Sequence, residues 1–491
     1  MLFNTIDFVI FFTAVLTIFV AVKNRKFQHI FLLAASYFFY YYSSNYYITL
    51  LIFTTVWDFY IGNAIWKATS IQKKKLLLIL SLSANLGLLG FFKYGNFVVT
   101  QFNILGKSFD LGTNIPLFNL ILPIGISFYT FHSVGYIIDV YRGGMKPSRS
   151  LLEYAIFIAF FPQLVAGPIL RSKQFLPQLR EKIEQIENGV RLRQILITNQ
   201  NLKLGITIMA FGFFKKMFIA DNIAPLVNHV FANPTGLHSF SILLGTIGFG
   251  FQVYCDFSGY SDIAIGAAKI LGFNIPINFN KPFFAKSISD FWRKWHISLS
   301  TWVRDYLYYP LIFRHHESIL RIFLSLVFVM IVLGFWHGAG WNWILFGTMH
   351  GLYMGFHTLI IHKFPRVRLL GFFKTRIGKF VSILITQYLV FLSFIAFRVQ
   401  NLDQMFYSMY KFVVLDFQIR DMLSIIAYYK LSFLIMILFF VLYLFSYKRE
   451  NLHQTVSNLK TKFWFVFLLI IMISIVFFYN GNPTDFIYFR F

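Results

Sequence analysis

The amino-acid sequence predicts an all-α integral membrane protein, built as a multi-pass helical bundle. Hydrophobic residues make up 57% of its 491 residues and charged residues only 13%, whereas a soluble domain carries about 25% charged residues. Apolar runs also recur along the whole chain, from Phe8 to Phe478. We therefore expect one polytopic membrane domain over residues 1–491 rather than several soluble domains.

A membrane-spanning helix needs about 20 apolar residues, and the runs in this chain predict ten to thirteen membrane segments, some of them re-entrant. The runs begin near Phe8, Ile30, Tyr47, Leu76, Pro116, Tyr154, Leu204, Phe240, Leu320, Trp341, Val381, Leu431 and Trp464. Because Phe8–Val22 lacks the flanks of a cleaved signal peptide, we expect it to be a first membrane helix. We divide the domain into N-terminal helices (1–115), a core with the candidate site (116–361) and C-terminal helices (362–491).

The net charge is strongly positive, since 44 Lys and Arg residues outnumber 19 Asp and Glu residues and give +25. The cations lie between the apolar runs, which indicates positive-inside topology and contact with membrane lipids rather than nucleic-acid binding. The first two basic clusters, Lys23–Lys26 and Gln72–Lys75, are separated by two predicted helices, so both can face the cytoplasm. The single cysteine, Cys255, excludes an intrachain disulfide and a multi-cysteine metal site.

The stretch 160–171, FFPQLVAGPILR, interrupts the regular pattern with Pro162, Gly167 and Pro168. Basic residues both precede and follow it, so one full crossing would place one of the two basic clusters outside. Irregular backbone at membrane depth is tolerated only where protein or water covers it. We therefore expect a bent or re-entrant segment here.

A second irregular region covers residues 273–311. From Trp292 onward its aromatic and aliphatic residues recur at helical spacing, and basic residues crowd the other side. This pattern predicts an amphipathic helix that lies in the membrane interface. The apolar stripe consists of Trp295, Leu299, Trp302 and Tyr306.

Two histidines, His337 and His350, lie in the otherwise apolar stretch VLGFWHGAGWNWILFGTMHG, residues 332–351. An ionisable group at membrane depth is costly and is a candidate functional residue. Structural interpretations also exist: a histidine can bond a backbone carbonyl, glycines let helices pack closely, and tryptophans form interfacial belts. His337 alone therefore does not decide between these interpretations.

A second polar group shifts the balance toward function. In the stretch WRKWHISLS, His296 lies at four-residue spacing from Trp292 and Ser300, which predicts one shared helical face. A buried imidazole tends to stay neutral, the form that a general base requires. The sequence does not show whether His296 and His337 meet.

Other polar residues have mainly structural interpretations. His132 is expected to be structural, and the pair His315–His316 is expected to be solvated rather than metal-binding. Asp256 and Asp262, in YCDFSGYSDIAIG, predict either a relay or ion site or a structural pairing with an arginine or loop amides. The chain contains no G-x-S-x-G, P-loop or H-E-x-x-H motif, and we predict no metal site.

Four stretches of the chain carry a resemblance to a known family: 122–143, 160–171 with 175–179, 256–266 with 279–311, and 333–351. In this order they resemble the membrane-bound O-acyltransferase family, and specifically its bacterial branch that includes the alginate O-acetyltransferase membrane subunit. The ending FIYFRF is similar as well, whereas the Gly-Gly and basic loop that commonly follow YPL are replaced by IFRHHESILR. The resemblance implies a helical fold with re-entrant segments around a central funnel.

The resemblance also implies roles for residues of this chain. His337 matches the family's near-invariant histidine and would be the general base, and His296 matches the second histidine of the bacterial branch and would position the acceptor or the oxyanion. An acetyl-histidine intermediate is the alternative route. Tryptophans would exclude water and cations would attract the donor's phosphates. The candidate substrate-binding residues are Trp336, Trp341, Arg293, Lys294, Ser300, Arg304 and Asp305.

By the same resemblance, we expect acetyl-CoA as the donor and no tightly bound cofactor. We also expect an extracytoplasmic acetyltransferase partner, a cell-envelope polysaccharide as the final acceptor and a place in the bacterial cytoplasmic (inner) membrane. Two alternatives stay open. One is D-alanyl transfer from a carrier-protein thioester to teichoic acid, and the other is a non-enzymatic transporter of glycan or lipid, which an internal repeat would favour.

Overall fold

The structure is a computed structural model that describes residues 1–112, 114–119, 121–165, 167–180, 193–313, 317–363, 371–449, 451–479 and 486–487. The predicted pair His315–His316 and most of the FIYFRF ending lie outside these residues. The α-helices are α1 (Ile6–Ala21), α2 (Arg25–Ser44), α3 (Ile48–Lys67), α4 (Ile71–Ser108), α5 (Ile126–Tyr141), α6 (Leu151–Ala159), α7 (Phe161–Leu164), α8 (Ser172–Leu179), α9 (Asn199–Phe213), α10 (Asp221–Ala232), α11 (Ser239–Ile270), α12 (Ile288–Trp292), α13 (Ile297–Val303), α14 (Tyr309–Ile312), α15 (Ile319–His337), α16 (Trp341–Lys363), α17 (Arg376–Arg398), α18 (Leu402–Val413), α19 (Ile419–Tyr428), α20 (Lys430–Lys448), α21 (Leu452–Ser457) and α22 (Thr461–Phe477).

The described residues contain 7 helical stretches that are long and apolar enough to cross a membrane, which confirms the all-α membrane class. They are Arg25–Lys67 (α2 and α3 with the turn between them), Ile71–Ser108, Ser239–Ile270, Ile319–His337, Trp341–Lys363, Arg376–Arg398 and Lys430–Lys448. Two further apolar helices, α1 and α22, are shorter. The sequence predicts ten to thirteen segments. The number of long stretches is lower for three reasons: the runs near Ile30 and Tyr47 fall in one stretch, the runs near Phe8 and Trp464 form the shorter α1 and α22, and those near Pro116, Tyr154 and Leu204 form no α-helix of 18 residues or more.

Large apolar side chains are exposed along the membrane helices, as contact with lipid requires. On α20, for example, Phe440 is 52% exposed and Val441 is 55% exposed. In water such a surface would drive aggregation, but lipid chains solvate it without a hydrophobic penalty. The long apolar helices therefore fit a protein that is embedded in a bilayer.

The chain divides into two compact units. Unit 1 comprises residues 1–209 and 263–276, and unit 2 comprises residues 210–262 and 277–491. Helices α9 and α11 contribute residues to both units. The candidate histidines His296 and His337 both belong to unit 2, so the site is described within that unit.

In unit 1 the backbone of the predicted bent segment is indeed broken. Helix α6 has only 9 residues, α7 has 4, and a non-helical stretch separates α7 from α8. Pro162 lies at the start of α7, where its missing N–H is tolerated. A segment of this length cannot span a bilayer as one helix, which needs about 20 residues.

Side chains of neighbouring helices satisfy the backbone of this broken segment. The Ser36 hydroxyl of α2 accepts a hydrogen bond from the Phe161 N–H (3.2 Å), and His132 Nε2 of α5 accepts one from the Leu170 N–H (3.1 Å). Residues from Glu153 to Leu164 are buried. His132 therefore has the structural role that the sequence suggested, and protein covers the irregular backbone as expected.

In unit 2 the predicted amphipathic helix from Trp292 to Tyr306 is not continuous, and that prediction was wrong. The short helix α12 ends at Trp292, and α13 begins only at Ile297. Between them His296 has a left-handed backbone, with φ 43° and ψ 53°, a conformation that costs a non-glycine residue about 1–2 kcal/mol. The regular stripe in the sequence did not reveal this turn, so Trp292, His296 and Ser300 do not share one helical face.

Candidate active site

Helices α15 and α16 form a hairpin whose backbones pack in close contact. A β-carbon added to Gly347 would lie 2.3 Å from the Met330 carbonyl oxygen, and one added to Gly334 would lie 2.3 Å from the Trp343 carbonyl oxygen. Such distances exclude any side chain at these positions. Gly334 and Gly347 therefore serve helix packing, the structural interpretation that the sequence left open.

His337 is the last residue of α15 and lies in an aromatic enclosure. Its side chain is buried, with the residue 3% exposed. Three further rings from α16 and α17 surround it: Trp343 at 5.8 Å, Phe346 at 5.9 Å and Phe397 at 5.2 Å between ring centroids. The next residue, Gly338, ends the helix with extended backbone. The hairpin thus fixes the imidazole in a site with little access to water.

His296 lies in the tight turn before α13 and is completely buried, with 0% exposure. The edge of its ring meets Phe257 of α11 at 4.7 Å between centroids and an interplanar angle of 83°. In the sequence, His296 lies between the membrane spans α11 and α15. Burial lowers the pKa of His296 from 6.5 to about 3, so the imidazole is neutral at physiological pH.

Trp336 connects the two histidines. Its ring lies 6.3 Å from that of His296 and 4.8 Å from that of His337. The indole is itself buried, with the residue 8% exposed. The structure therefore brings both predicted histidines, which come from different segments of the chain, to the same aromatic cluster.

His350, the second histidine of the stretch 332–351, has a different environment. The Trp292 indole N–H donates to His350 Nδ1 (3.2 Å), and His350 Nε2 lies 2.8 Å from the Ser393 hydroxyl. With Nδ1 as an acceptor, Nε2 carries the proton and donates to Ser393, whose hydroxyl donates to the Val390 carbonyl (2.6 Å). Both ring nitrogens are thus used, and His350 links α12, α16 and α17 as a structural residue.

The three predicted cations differ in their surroundings. Arg293 is exposed and pairs with Asp290 at 3.5 Å, and Arg304 pairs with Asp305 at 2.9 Å. Lys294 also pairs with Asp290, at 2.9 Å, but it faces a large cavity. Of these three cations, only Lys294 lines that cavity.

The remaining two predicted residues fall into different places. The Ser300 hydroxyl donates to the Trp295 carbonyl at 3.2 Å, a local contact within the turn. Trp341 is 53% exposed, whereas Trp343, two residues later, is 3% exposed and is stacked against His337. The buried tryptophans that contact His337 are therefore Trp336 and Trp343.

Unit 2 contains an open cavity of about 1090 Å³. Its walls are mostly apolar and come largely from α20 and α22, including Phe439, Tyr443 and Ile471. Cationic residues from several segments also line the cavity: Lys215, Lys281, Lys294 and Arg449. Asp262 is the acidic residue among those that line it, and it pairs with Lys215 at 2.6 Å. The cavity therefore combines an apolar interior with net positive charge.

One wall of this cavity supports the turn at His296. Asn278 lines the cavity, and its side chain accepts a hydrogen bond from Ser298 (2.6 Å) and donates one to Ser261 (3.1 Å). Its carbonyl accepts the Ile297 N–H at 2.9 Å. The residue that follows His296 is thus bonded directly to the cavity wall.

The two acids singled out in the sequence are ion-paired with lysines rather than with an arginine. Asp256 meets the buried Lys216 at 2.6 Å, and Lys216 also meets Asp221 at 2.9 Å. Asp262 pairs with Lys215, the residue directly before Lys216 in the chain. The structural interpretation of both acids, as charge partners, thus describes their contacts.

Sequence reasoning missed several residues around the histidines, namely Trp343, Phe257, Asn278 and Lys216. The two tryptophans of GWNW lie two positions apart, so only the helix phase distinguishes the buried one from the exposed one. Lys216 carried a usable signal, since a lysine within an apolar run is expensive unless it is paired. The described residues contain no group of three or more His, Cys, Asp or Glu that could hold a metal ion.

Comparison with known proteins shows which family the chain resembles. Residues 146–397, which include both histidines, match the membrane-bound O-acyltransferase family. The chain is 34% identical to the peptidoglycan O-acetyltransferase of Helicobacter pylori over 405 residues, 78% of this chain and 73% of that protein. It is 38% identical to a Pseudomonas aeruginosa protein named "Probable alginate O-acetylase AlgI" over 372 residues, 74% of this chain and 66% of that protein.

A more distant similarity covers about half of the chain. The teichoic acid D-alanyltransferase of Streptococcus thermophilus is 31% identical over 237 residues, 47% of this chain and 55% of that protein.

The fold and the site thus define a multi-pass membrane enzyme of the bacterial inner membrane that has two histidines buried around one tryptophan. The chain belongs to the membrane-bound O-acyltransferase family and is an acyltransferase.

Proposed function

We propose that this enzyme transfers an acetyl group from acetyl-CoA in the cytoplasm to a hydroxyl acceptor outside the membrane. The observation that carries the proposal is the contact of Trp336 with both His296 and His337 in a buried cluster. Two buried imidazoles in such a place can move a proton and donate a hydrogen bond within one reaction. The catalytic part is residues 116–361, which overlap most of the matched family region.

In the proposed reaction His337 accepts the proton of the acceptor hydroxyl as its oxygen attacks the thioester carbonyl. The N–H of His296 donates to the developing oxyanion. When the tetrahedral intermediate collapses, the carbon–sulfur bond breaks and the thiolate takes the proton from the His337 imidazolium. The products are an acetyl ester and free CoA. Trp336 and Trp343 limit water, which would otherwise compete as the acceptor.

The cavity in unit 2 supports entry of the donor from the cytoplasm. Its cations, including Lys281 and Arg449, suit the phosphates of CoA, and its apolar walls suit an extended chain. Arg449 follows the end of α20, and Lys460 and Lys462 lie at the start of α22. By the positive-inside rule, these basic ends face the cytoplasm. Asn278 lines this cavity and bonds Ile297, so the cavity lies next to the turn that carries His296.

We propose a cell-envelope polysaccharide as the final acceptor, since the names of the two relatives with the highest coverage cited above refer to peptidoglycan and alginate. A separate extracytoplasmic acetyltransferase would pass the acetyl group to it. Co-purification of such a protein with the membrane enzyme would test this part. Failure to recover any transferase would point to direct transfer from the membrane enzyme to the glycan.

The proposal is tested by label transfer from [acetyl-14C]CoA to membranes that contain the wild type, His337→Gln or His296→Gln. General-base catalysis contributes about 10²–10⁴ in rate, so we expect His337→Gln to lose at least about a hundredfold of the transfer. The matched control is His357→Gln, an exposed histidine of α16. Normal transfer by a folded His337→Gln protein would contradict the assignment.

D-alanyl transfer is the second candidate, favoured by the similarity to the teichoic acid D-alanyltransferase. It uses the same two histidines but takes its acyl group from a carrier-protein thioester. Absence of transfer from acetyl-CoA in the wild type, with transfer from a D-alanyl carrier protein, would establish this alternative.

A further inference from the structure

A buried ion cluster connects α11 with α10 and with the helical turn that precedes α10. Lys216 is 0% exposed, and its ammonium meets Asp256 at 2.6 Å and Asp221 at 2.9 Å. Lys216 belongs to a π-helix, Phe214–Ala220, between α9 and α10. π-Helical turns are rare and are frequent at functional sites. The mechanism proposed above uses none of these three charged residues.

A cluster of this kind is weak evidence for stability in itself. The desolvation of buried charges offsets most of their attraction, and apolar residues of similar size often stabilise as well or better. Removal of one partner, in contrast, leaves a buried charge without compensation and is strongly destabilising. The cluster therefore fixes a particular arrangement of the π-helix and α11 rather than adding much net stability.

That arrangement is close and specific. A β-carbon added to Gly259 of α11 would lie 2.7 Å from the Gly212 carbonyl oxygen and 3.0 Å from the Lys216 backbone nitrogen. The second carboxylate oxygen of Asp256 accepts the Ile487 N–H at 2.9 Å. Ion pair, backbone packing and hydrogen bond together determine where this turn of α11 lies.

The same turn of α11 supports His296 in two ways. Phe257, next to Asp256, presents its ring to the His296 ring at 4.7 Å. Ser261, four residues later and hence on the same helical face, bonds the Asn278 amide, which in turn bonds Ser298. His296 holds a left-handed backbone that persists only where its surroundings determine it. Phe257 and Ser261 are part of those surroundings.

We propose that Lys216, Asp221 and Asp256 are positioning residues that hold α11 in the one placement in which Phe257 and Ser261 fix the His296 turn. The importance of this role for catalysis rests on the proposed function of His296. The positioning itself does not depend on the identity of the acyl donor. Two experiments test the positioning of the His296 turn and its effect on catalysis separately.

The first experiment measures the accessibility of His296 without any substrate. The purified protein is treated with diethyl pyrocarbonate, and modification of each histidine is followed by peptide mass spectrometry. Asp256→Asn should raise the rate at His296 by at least about tenfold, the factor that about 1.4 kcal/mol of lost local stability gives. His350, held by Trp292 and Ser393, should stay protected and serves as the internal reference.

Protection of His296 that is unchanged in Asp256→Asn would overturn the proposal. Equal loss of protection at His296 and His350 would also overturn it, because that pattern indicates general unfolding. Lys216→Arg keeps the charge and should retain most of the protection, whereas Lys216→Met should not.

The second experiment measures transfer from [acetyl-14C]CoA. Asp256→Asn should lower kcat by about ten- to a hundredfold, the range that small misplacement of a reacting group gives, and should leave the KM for acetyl-CoA unchanged. In a His296→Gln background it should cause no further loss, because the two residues act as one unit. A full additional loss in that background would contradict the proposal.

The matched control is Glu153→Gln in unit 1, which breaks another buried ion pair, with Arg180 at 2.6 Å. It should lower stability without changing kcat per folded molecule. If the wild type itself shows no transfer from acetyl-CoA, the proposed donor is wrong, and the accessibility experiment still decides the positioning role.

Discussion

The ring of His296 lies 6.3 Å from that of Trp336, the residue that directly precedes His337. One indole therefore contacts two histidines that belong to different segments of the chain. His296 comes from a strained turn, and His337 comes from the end of a helix that is locked to its neighbour by glycines. Because each histidine has its own rigid support, the spacing between them is set by the fold rather than by loop flexibility.

His350 should matter for stability and not for the reaction. His350→Leu leaves the Trp292 N–H without its acceptor and removes the N–H that Ser393 accepts; an unsatisfied buried polar group costs about 1–3 kcal/mol. We expect a lower unfolding temperature in detergent and unchanged turnover per folded molecule. His357→Leu on the exposed side of the same helix is the control. Loss of turnover in the folded His350 variant would give this residue a functional role instead.

The cations of the cavity should govern the affinity for the donor. Arg449→Gln and Lys281→Gln should each raise the KM for acetyl-CoA about two- to fivefold at low salt, since an exposed ion pair contributes up to about 1 kcal/mol. The effect should shrink as ionic strength rises, and kcat should not change. Lys374→Gln, an exposed cation that does not line the cavity, is the control. Unchanged KM values would place the phosphate contacts elsewhere.

Two glycine substitutions should have opposite effects. Gly347→Ala puts a β-carbon 2.3 Å from the Met330 carbonyl oxygen, and overpacking of this kind costs about 1–3 kcal/mol. Gly87→Ala in α4 meets nothing within 4 Å and should be neutral or stabilising by up to about 1 kcal/mol, because alanine favours the helix. Thermal unfolding of the two variants measures the difference. A tolerated Gly347→Ala would show that α15 and α16 can separate.

The protonation of His296 should appear in the pH dependence of stability. Burial lowers the pKa of His296 from 6.5 to about 3, so between these values the unfolded chain binds a proton that the folded protein does not. Stability therefore falls as the pH drops from 6.5 toward 3. In His296→Gln this contribution is absent, while the other histidines are common to both proteins. Unfolding midpoints at pH 7.5, 6 and 5 should fall more steeply in the wild type; parallel curves would contradict the prediction.

Much of the fold could be predicted because long apolar helices leave a strong signal. The spans that begin near Phe240, Leu320 and Trp341 coincide with α11, α15 and α16. The break at Phe160–Gly167 was also predictable, because proline and glycine mark it and the charges on both sides conflict with a full crossing. These features depend on local sequence, where composition and periodicity are informative.

The details of the site depend on contacts between distant segments, and the sequence did not reveal them. The stripe from Trp295 to Tyr306 looked continuous because a left-handed residue does not disturb the spacing of its neighbours. The structural role of His350 requires Ser393 as a partner, 43 positions away. Arg293 and Arg304 carried the right charge for a donor, but neighbouring acids bind them. Composition predicted the kind of residue that a donor site needs, not its place.

The broken segment of unit 1 has a consequence for the biogenesis of the protein. Helix α6 is too short to enter a bilayer as an independent span, and the N–H groups of Phe161 and Leu170 find their acceptors on Ser36 and His132. Since an unsatisfied N–H costs several kcal/mol in lipid, this segment cannot settle before α2 and α5 are in place. The order of synthesis provides this, because both helices leave the ribosome first. A chain in which residues 151–179 were moved ahead of α2 would keep every hydrophobic run and yet deliver this segment to the translocon before its acceptors exist.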